Sequence, residues 1–321
     1  MARRKVPEGA INDNADGFDK ADDNIVQPFQ LEKTQLRGRA VRLGGVLDEI
    51  LGPHDYPLPV AHLVAETITL AALLSSMLKY EGIFTLQTKG DGPVGMLVAD
   101  MTSKGEVRGC ASFDKERVAK FGNDTDLLPL FLGKGYIAFT VDQMGKTDRY
   151  QGIVELKGKS LVECVQHYFN QSEQIDTGIK IAVGRHDGKW RAGGVMLQLM
   201  PEEAKEDSLS VRKEDWSRSM TLLGTMKDSE ILDPALHSRE LLLRLFHEEG
   251  VRVYKPLHVT KGCRCDSEKI EKVLASLADD DIEYLSESGT IQMHCEFCSR
   301  NFTLDPDTVK NRTKKKKPKK K

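Results

Sequence analysis

Four cysteines stand close together near the C-terminus, and their spacing restricts that region to a small set of structures. Gly262-Cys263-Arg264-Cys265 and Cys295-Glu296-Phe297-Cys298 give a C-x-C pair, 29 intervening residues and a C-x-x-C pair. A turn carrying two cysteines supplies two metal ligands at little cost in chain entropy. Two such turns complete the tetrahedral thiolate shell that zinc favours. The spacing predicts one Zn2+ per chain, held by Cys263, Cys265, Cys295 and Cys298. Four-thiolate zinc sites are as a rule closed and structural, and spacing alone assigns no further role. His258 and His294 lie near the cysteines as alternative ligands, but four thiolates already fill the shell. The residues between the pairs read as a small fold. Asp266 caps a helix with Ile270, Val273, Leu274 and Leu277 on its apolar side. Asp280 and Glu283 form a capping-box pattern in a second helix that stops at Gly289. Thr290–Met293 and Asn301–Leu304 are two strands flanking the C-x-x-C turn.

Clustered cysteines without a secretion signal point to metal or redox chemistry, not to a disulfide framework. Met1–Gly9 is polar and has no apolar core, so no secretory leader is read and a cytoplasmic location is expected. The longest apolar stretch, Val60–Leu78, opens after Pro59 and is interrupted by His62, Glu66, Thr67, Thr69, Ser75 and Ser76. It predicts a core helix over Pro59–Lys79, and no membrane partner. Leu36–Leu43 alternates apolar and basic residues as a strand does, and residues 82–156 read as β structure with turns at Gly90–Pro93 and Met144–Asp148. Ser160 and Glu163 open a helix with Leu161, Val165, Tyr168 and Phe169 on one face. Cys164 lies on the apolar side of that helix and Cys110 lies near a β-rich run, so both read as buried structural cysteines. Ile179–Gly184 and Val195–Met200 are further strands. From Pro201 the character changes. Glu202–Ser219 mixes charges and reads as the start of a linker of intermediate order. A strong amphipathic helix follows, capped by Asp233, with Pro234 in its first turn and a stop at Gly250.

The formal charge of −2 hides an asymmetry: the last twelve residues carry nine positive charges and no acid, which leaves −11 on the rest. A run of like charge repels itself and stays disordered. No nucleophile elbow, P-loop or convincing carboxylate pair is present. Gly133-Lys134-Gly135 precedes a strand, not a helix. An enzyme is not predicted.

Three stretches together resemble the 33 kDa chaperonin family of bacteria, redox-regulated heat-shock holdases. They are the C-x-C…C-x-x-C module, Tyr168-Phe169-Asn170-Gln171-Ser172-Glu173-Gln174-Ile175, and Leu245-Phe246-His247-Glu248-Glu249. Val107-Arg108-Gly109 and Tyr150-Gln151-Gly152 are shorter echoes. The likeness covers roughly residues 24–309; the poly-lysine tail, the acidic first 23 residues and the run Asp266–Lys269 depart from the family pattern. The resemblance implies an α+β N-terminal domain, a helical middle linker and a small C-terminal zinc-binding domain. The boundaries read as a disordered start at 1–23, a core at 24–200, a linker at 201–255, a redox-switch domain at 256–309 and a basic disordered tail at 310–321. It further implies that the four cysteines bind zinc when reduced and form Cys263–Cys265 and Cys295–Cys298 disulfides when oxidised. The oxidised chain would then release zinc, dimerise and hold unfolding client proteins without ATP. The physics is compatible with such a switch. Structural zinc contributes about 10–16 kcal/mol to a small module, and a domain of about 50 residues has too little core to survive that loss. A linker resting partly on the module would loosen with it and expose apolar surface. The other class of reading is a zinc-ribbon nucleic-acid- or ribosome-binding protein that uses the lysine tail. The acidic body and an aromatic content of only 6% count against it, so nucleic acid is not favoured as a partner.

Overall fold

The computed structural model describes residues 23–34, 36–122, 128–143, 149–199, 209–274, 276–286 and 289–309. The two predicted disordered ends, apart from Asp23, and linker residues 201–208 lie outside these. The chain divides into two compact units between Lys261 and Gly262.

In the first unit the elements run β1 (Ile25–Leu31), β2 (Leu36–Leu43), α1 (Gly45–Leu51), α2 (Leu58–Ser75), β3 (Gly82–Gly90), β4 (Val94–Thr102) and β5 (Glu106–Phe113). They continue as α3 (Lys115–Ala119), α4 (Leu128–Leu132), β6 (Gly135–Gln143), β7 (Arg149–Glu155), α5 (Leu161–Tyr168), β8 (Thr177–His186) and β9 (Lys189–Leu199). The expected linker then supplies α6 (Leu209–Thr225), α7 (Asp228–Leu232) and α8 (Ser238–Phe246), and three short strands close the unit: β10 (Val251–Val253), β11 (Leu257–His258) and β12 (Thr260–Lys261). The second unit holds α9 (Ser267–Leu274), α10 (Asp279–Leu285) and the hairpin β13 (Ile291–His294) and β14 (Asn301–Leu304). The architecture is mixed α and β, with sheets first, helices in the middle and the cysteines last.

Two six-stranded sheets make up the first unit. One runs β10-β1-β2-β9-β8, with β11 also on β1; the other runs β12-β5-β4-β3-β6-β7. Helix α2 is buried on all its faces and packs on strands of both sheets. A helix apolar all round belongs in a core. Its polar positions are satisfied internally: the Thr67 and Thr69 hydroxyls donate to the Leu63 and Ala65 carbonyls at 2.7 Å each. This helix is long and apolar enough to cross a bilayer, and the core accounts for that apolarity. It ends at Ser75, four residues short of Lys79, where the Ser75 and Ser76 hydroxyls bond the Ala72 and Leu73 carbonyls.

The first sheet is covered on both faces. Val26, Val41, Leu43 and Met196 join the α2 core, whereas Phe29, Leu36, Val195 and Leu197 face the linker helices. Against that second face lie Leu223, Met226, Ile231, Leu236, Leu241, Leu242, Leu245 and Phe246. Phe246 is fully buried and stacks on Phe29, ring centroids 6.2 Å apart. Phe29 itself lies over Gly38, its cross-strand partner, where a Cβ would collide with the ring. The stretch read as loosely ordered from 209 on is thus helical, because Trp216, Met220 and Leu223 share one side of α6 and find the sheet. The next helix starts at Ser238 rather than Asp233. Asp233 turns its carboxylate onto the Ala235 amide at 2.8 Å and makes a local turn first.

An ion cluster ties the linker to the sheet. Asp23 accepts a bidentate pair from Arg191, 2.7 Å on each oxygen, and a bond from Arg42 at 3.2 Å. The same guanidinium groups reach the linker backbone: Arg191 donates to Leu232 O at 2.9 Å, and Arg42 to Asp233 O at 3.0 Å and Pro234 O at 3.2 Å. Burial pushes the Asp23 carboxyl up, but Arg191 and Arg42 outweigh it and hold it below its ordinary 3.8. The side chains of Arg42 and Arg191 are nearly buried, so removing Asp23 strands two cations. Asp23→Asn is expected to cost about 3 kcal/mol in urea unfolding near neutral pH. The sign with pH follows from the lowered value. The ion-pair contribution is complete above 3.8 and is lost as pH falls through the folded value, so the gap between variant and parent should close in strong acid.

Candidate metal centre

Cys263 and Cys265 lie in the loop before α9, and Cys295 and Cys298 in the turn between β13 and β14. The hairpin is in antiparallel register from Ile291 opposite Leu304 to His294 opposite Asn301. Beyond it the Cys295 amide bonds Arg300 O at 2.9 Å, and the Cys298 and Ser299 amides both reach Cys295 O, at 3.3 and 2.8 Å. Ser299 takes a left-handed backbone, φ 55°, to close the turn. The opposite loop is held by α9: Asp266 accepts the Lys269 amide at 2.7 Å, and Lys269 Nζ donates to Arg264 O at 2.9 Å, inside the C-x-C. The predicted Asp266 cap is therefore present. The Asp280–Glu283 capping box is not: α10 begins at Asp279 with Ala278 in the cap position and no side-chain cap bond. Beneath the cysteines the core is small, consisting of Leu274, Ile282, Ile291, Leu304 and Val309.

All four Sγ atoms lie within 4.8 Å of one another. Cys263 Sγ is 3.3 Å from Cys265 Sγ and 3.7 Å from Cys295 Sγ, and Cys265 Sγ is 3.4 Å from Cys298 Sγ. A tetrahedron with zinc–sulfur bonds of about 2.3 Å has edges of about 3.8 Å. The three separations given lie within about half an ångström of that edge, and the chemistry of the four thiols suits a soft divalent metal. Burial pushes the Cys263 thiol up, but the Cys265 amide and the neighbouring Cys265, Cys298 and Cys295 thiols outweigh it and bring it down to about 7. Burial and the neighbouring Cys263, Cys298 and Cys295 thiols push Cys265 up, and burial raises Cys295 despite bonds from the Phe297 and Cys298 amides. Among the described residues neither histidine belongs to the cluster. His294 Nδ1 is 2.8 Å from Asn301 Oδ1, and His258 is in β11 opposite Ile25.

A family model described as Hsp33 protein matches residues 24–305. The chain belongs to the Hsp33 family. It is 39% identical over 291 residues to a 33 kDa chaperonin of Caulobacter vibrioides, covering 88% of this chain and 95% of that one. It is 36% identical over 278 residues to a 33 kDa chaperonin of Escherichia coli, covering 86% and 90% respectively. The crystal structure of the Thermotoga maritima 33 kDa chaperonin shares the fold, with a TM-score of 0.77 at 20% identity over 91% of this chain and 98% of that one. The protein is thus a chaperone by family, and its cysteine cluster is compatible with a zinc and redox centre.

The other Hsp33-like stretches are brought to particular places. Tyr150 and Tyr168 both bond the Glu173 carboxylate, with their hydroxyls 3.0 Å apart, and Gly152 lies where a Cβ would strike the Tyr168 hydroxyl. Two stretches distant in sequence are therefore one cluster, pinning edge strand β7 to a π-helical turn at Phe169–Glu173. Within Leu245–Glu249, Phe246 fills the sheet face and buried Glu249 accepts Arg218 of α6 at 2.6 and 3.1 Å. Arg218 holds the Glu249 carboxyl below its usual range, against burial. Val107-Arg108-Gly109 is structural: Arg108 pairs with Asp100 at 2.6 Å, and Gly109 lets Ile68 of α2 approach. None of these pairings has a periodicity signal; only the folded register reveals them.

Proposed function

We propose that this chain is an ATP-independent holdase whose client-binding surface is covered while its cysteines hold zinc and is uncovered when they are oxidised. It has no catalytic site of its own, works in the cytoplasm and dimerises on oxidation. The observation that carries the reading is the set of four Sγ atoms at near-tetrahedral spacing in a unit with a very small core. Cys263, Cys265, Cys295 and Cys298 would hold one Zn2+, which cross-links the two loops. The functional division is a core at 24–200, a linker at 201–255 and a switch domain at 256–309. Following the family resemblance, oxidation pairs Cys263 with Cys265 and Cys295 with Cys298. Each disulfide forms as two thiols give two electrons to one peroxide, whose O–O bond breaks. Two waters result, with protons taken from the thiols or from solvent. Once paired, the sulfurs no longer offer thiolates to a metal. The linker's apolar face, now on the first sheet, is the surface to be released.

The test follows light scattering of a thermally unfolding client with and without peroxide, beside RNA binding at moderate salt. Suppression by the oxidised protein alone supports the reading. RNA binding without suppression would favour the nucleic-acid alternative.

Cys110 and Cys164 are expected to stand aside. Both are buried, and burial pushes the Cys164 thiol up, away from the reactive thiolate. The Cys110→Ala/Cys164→Ala double variant should keep its zinc and its peroxide response within about twofold. Loss of the response would bring one of these thiols into the switch.

A further inference from the structure

The segment that leads into the cysteines does not cross the surface as a free loop. Residues 251–261 run along the outer edge of β1 and then onto β5. Val251–Val253 pair with Leu31–Phe29, Leu257–His258 with Val26–Ile25, and Thr260–Lys261 lie parallel to Glu106–Val107. Main-chain bonds extend the pairing: Glu32 N to Gly250 O at 2.7 Å, Lys33 N to Glu249 O at 3.0 Å, Tyr254 N to Pro28 O at 3.0 Å, Val259 N to Asn24 O at 2.7 Å and Thr260 N to Gly105 O at 3.0 Å. This strap closes edges that would otherwise present unpaired backbone groups, a ready template for another strand.

We propose that this edge, Asn24–Lys33 with the Gly105 turn, is where an extended stretch of an unfolded client docks by strand addition. The strap is its built-in stand-in. The inference rests on the holdase reading above and names the surface and the kind of partner. Three features of the edge favour that occupant. First, the edge holds the strap largely through main-chain bonds, with two side-chain pairs beside them: the Tyr254 hydroxyl donates to Gln30 Oε1 at 2.9 Å, and Arg252 pairs with Glu32. Gln27, itself buried, donates its side-chain amide to the Tyr254 carbonyl, and Gly105 lies where a Cβ would collide with the His258 carbonyl. Recognition through main chain is what a binder of many sequences needs. Second, the strap's side chains alternate in the manner of any half-buried strand. Val251 and Val253 pack on one core, Leu257 and Val259 on the other, and Arg252, His258 and Thr260 face out. Third, a cleft of about 190 Å3 lies beside Leu257, bounded by Val26, Leu78 and Tyr80. It leaves room for a side chain larger than leucine. The strap's own strands are only three, two and two residues long. So brief a pairing opens easily, and a longer client strand can displace it once the chain beyond Lys261 no longer holds it.

The experiment is hydrogen exchange of the full-length protein over residues 24–33, with client scattering measured on the same samples. The client is reduced, carboxymethylated lactalbumin, which stays unfolded. The Glu32 and Lys33 amides should exchange slowly in the reduced protein, at least about tenfold faster after peroxide, and slowly again once client is added. A synthetic peptide of residues 249–261 should compete with the client, and a scrambled peptide should not. If the oxidised protein holds client while residues 24–33 stay protected throughout, or stay open with client bound, the edge is not the site and the holdase reading survives. Protection that returns with protein concentration and no client would mean a second copy's strap fills the edge, which also overturns the proposal. If the oxidised protein holds no client at all, the holdase reading itself fails.

Discussion

Cys295→Ser is expected to empty the metal centre and unfold the second unit. Among the described residues the core of that unit is five buried side chains, with Ile270, Leu277 and Met293 partly buried against them, on two short helices and one two-stranded hairpin. A two-stranded hairpin is marginal in water on its own, and so small a core contributes only a few kcal/mol. Zinc binding, at about 10–16 kcal/mol, then outweighs everything else that holds the unit folded. Loss of Cys295 removes one of four ligands and also the sulfur to which the Phe297 and Cys298 amides point. Metal analysis should fall from close to one zinc per chain to near none. Hydrogen exchange over 262–309 should become that of an unfolded chain. Client holding should appear without peroxide. Stoichiometric zinc retained in a chain lacking all four thiols would show that the metal is bound elsewhere.

Phe246→Asp should separate the linker from the metal. Phe246 and Leu242 are both fully buried against the first sheet. Truncating a buried phenylalanine costs about 3–5 kcal/mol, and an unpaired carboxylate in the same place costs more. The docked linker is held by several contributions of about 1.5–3 kcal/mol per side chain, offset by the entropy of ordering it. One such charge is enough to lift α8 while the cysteines, in the other unit, keep their metal. The reduced, zinc-loaded variant should therefore suppress aggregation as the oxidised parent does, with zinc still near one per chain. Leu242→Asp should do the same. A reduced variant with full zinc and no client holding would mean that the linker face is not the client surface.

The sequence carried the parts of this structure that depend on local pattern. The cysteine spacing placed four thiols within 4.8 Å of one another. Pro59 and the apolar run after it marked α2, and Ser160 marked α5, whose hydroxyl accepts the Glu163 amide at 3.2 Å. What was missed depends on partners distant in the chain. Strands β10, β11 and β12 are too short for any periodicity and exist because β1 and β5 offer free edges. Helix α6 looked weak because its apolar side is sparse and runs past Ser219 to Met220 and Leu223, where the sheet receives it. The Asp23–Arg42–Arg191 cluster joins residues up to 168 positions apart and the Tyr150–Tyr168–Glu173 cluster residues up to 23 apart, and a charge or a phenol carries no mark of its partner. Ends of helices also moved. Asp233 is a good cap by composition, yet its carboxylate serves a turn and the helix waits for Ser238.

Protection along the whole chain, followed by hydrogen exchange or limited proteolysis in reduced protein and after peroxide, tests the switch itself. Residues 262–309 and 209–261 should lose protection together on oxidation, while β2 and β9 and the α2 core keep theirs. Equal protection of 209–261 in both redox states, in a sample that has lost its zinc and gained client holding, would contradict a switch that works through the linker.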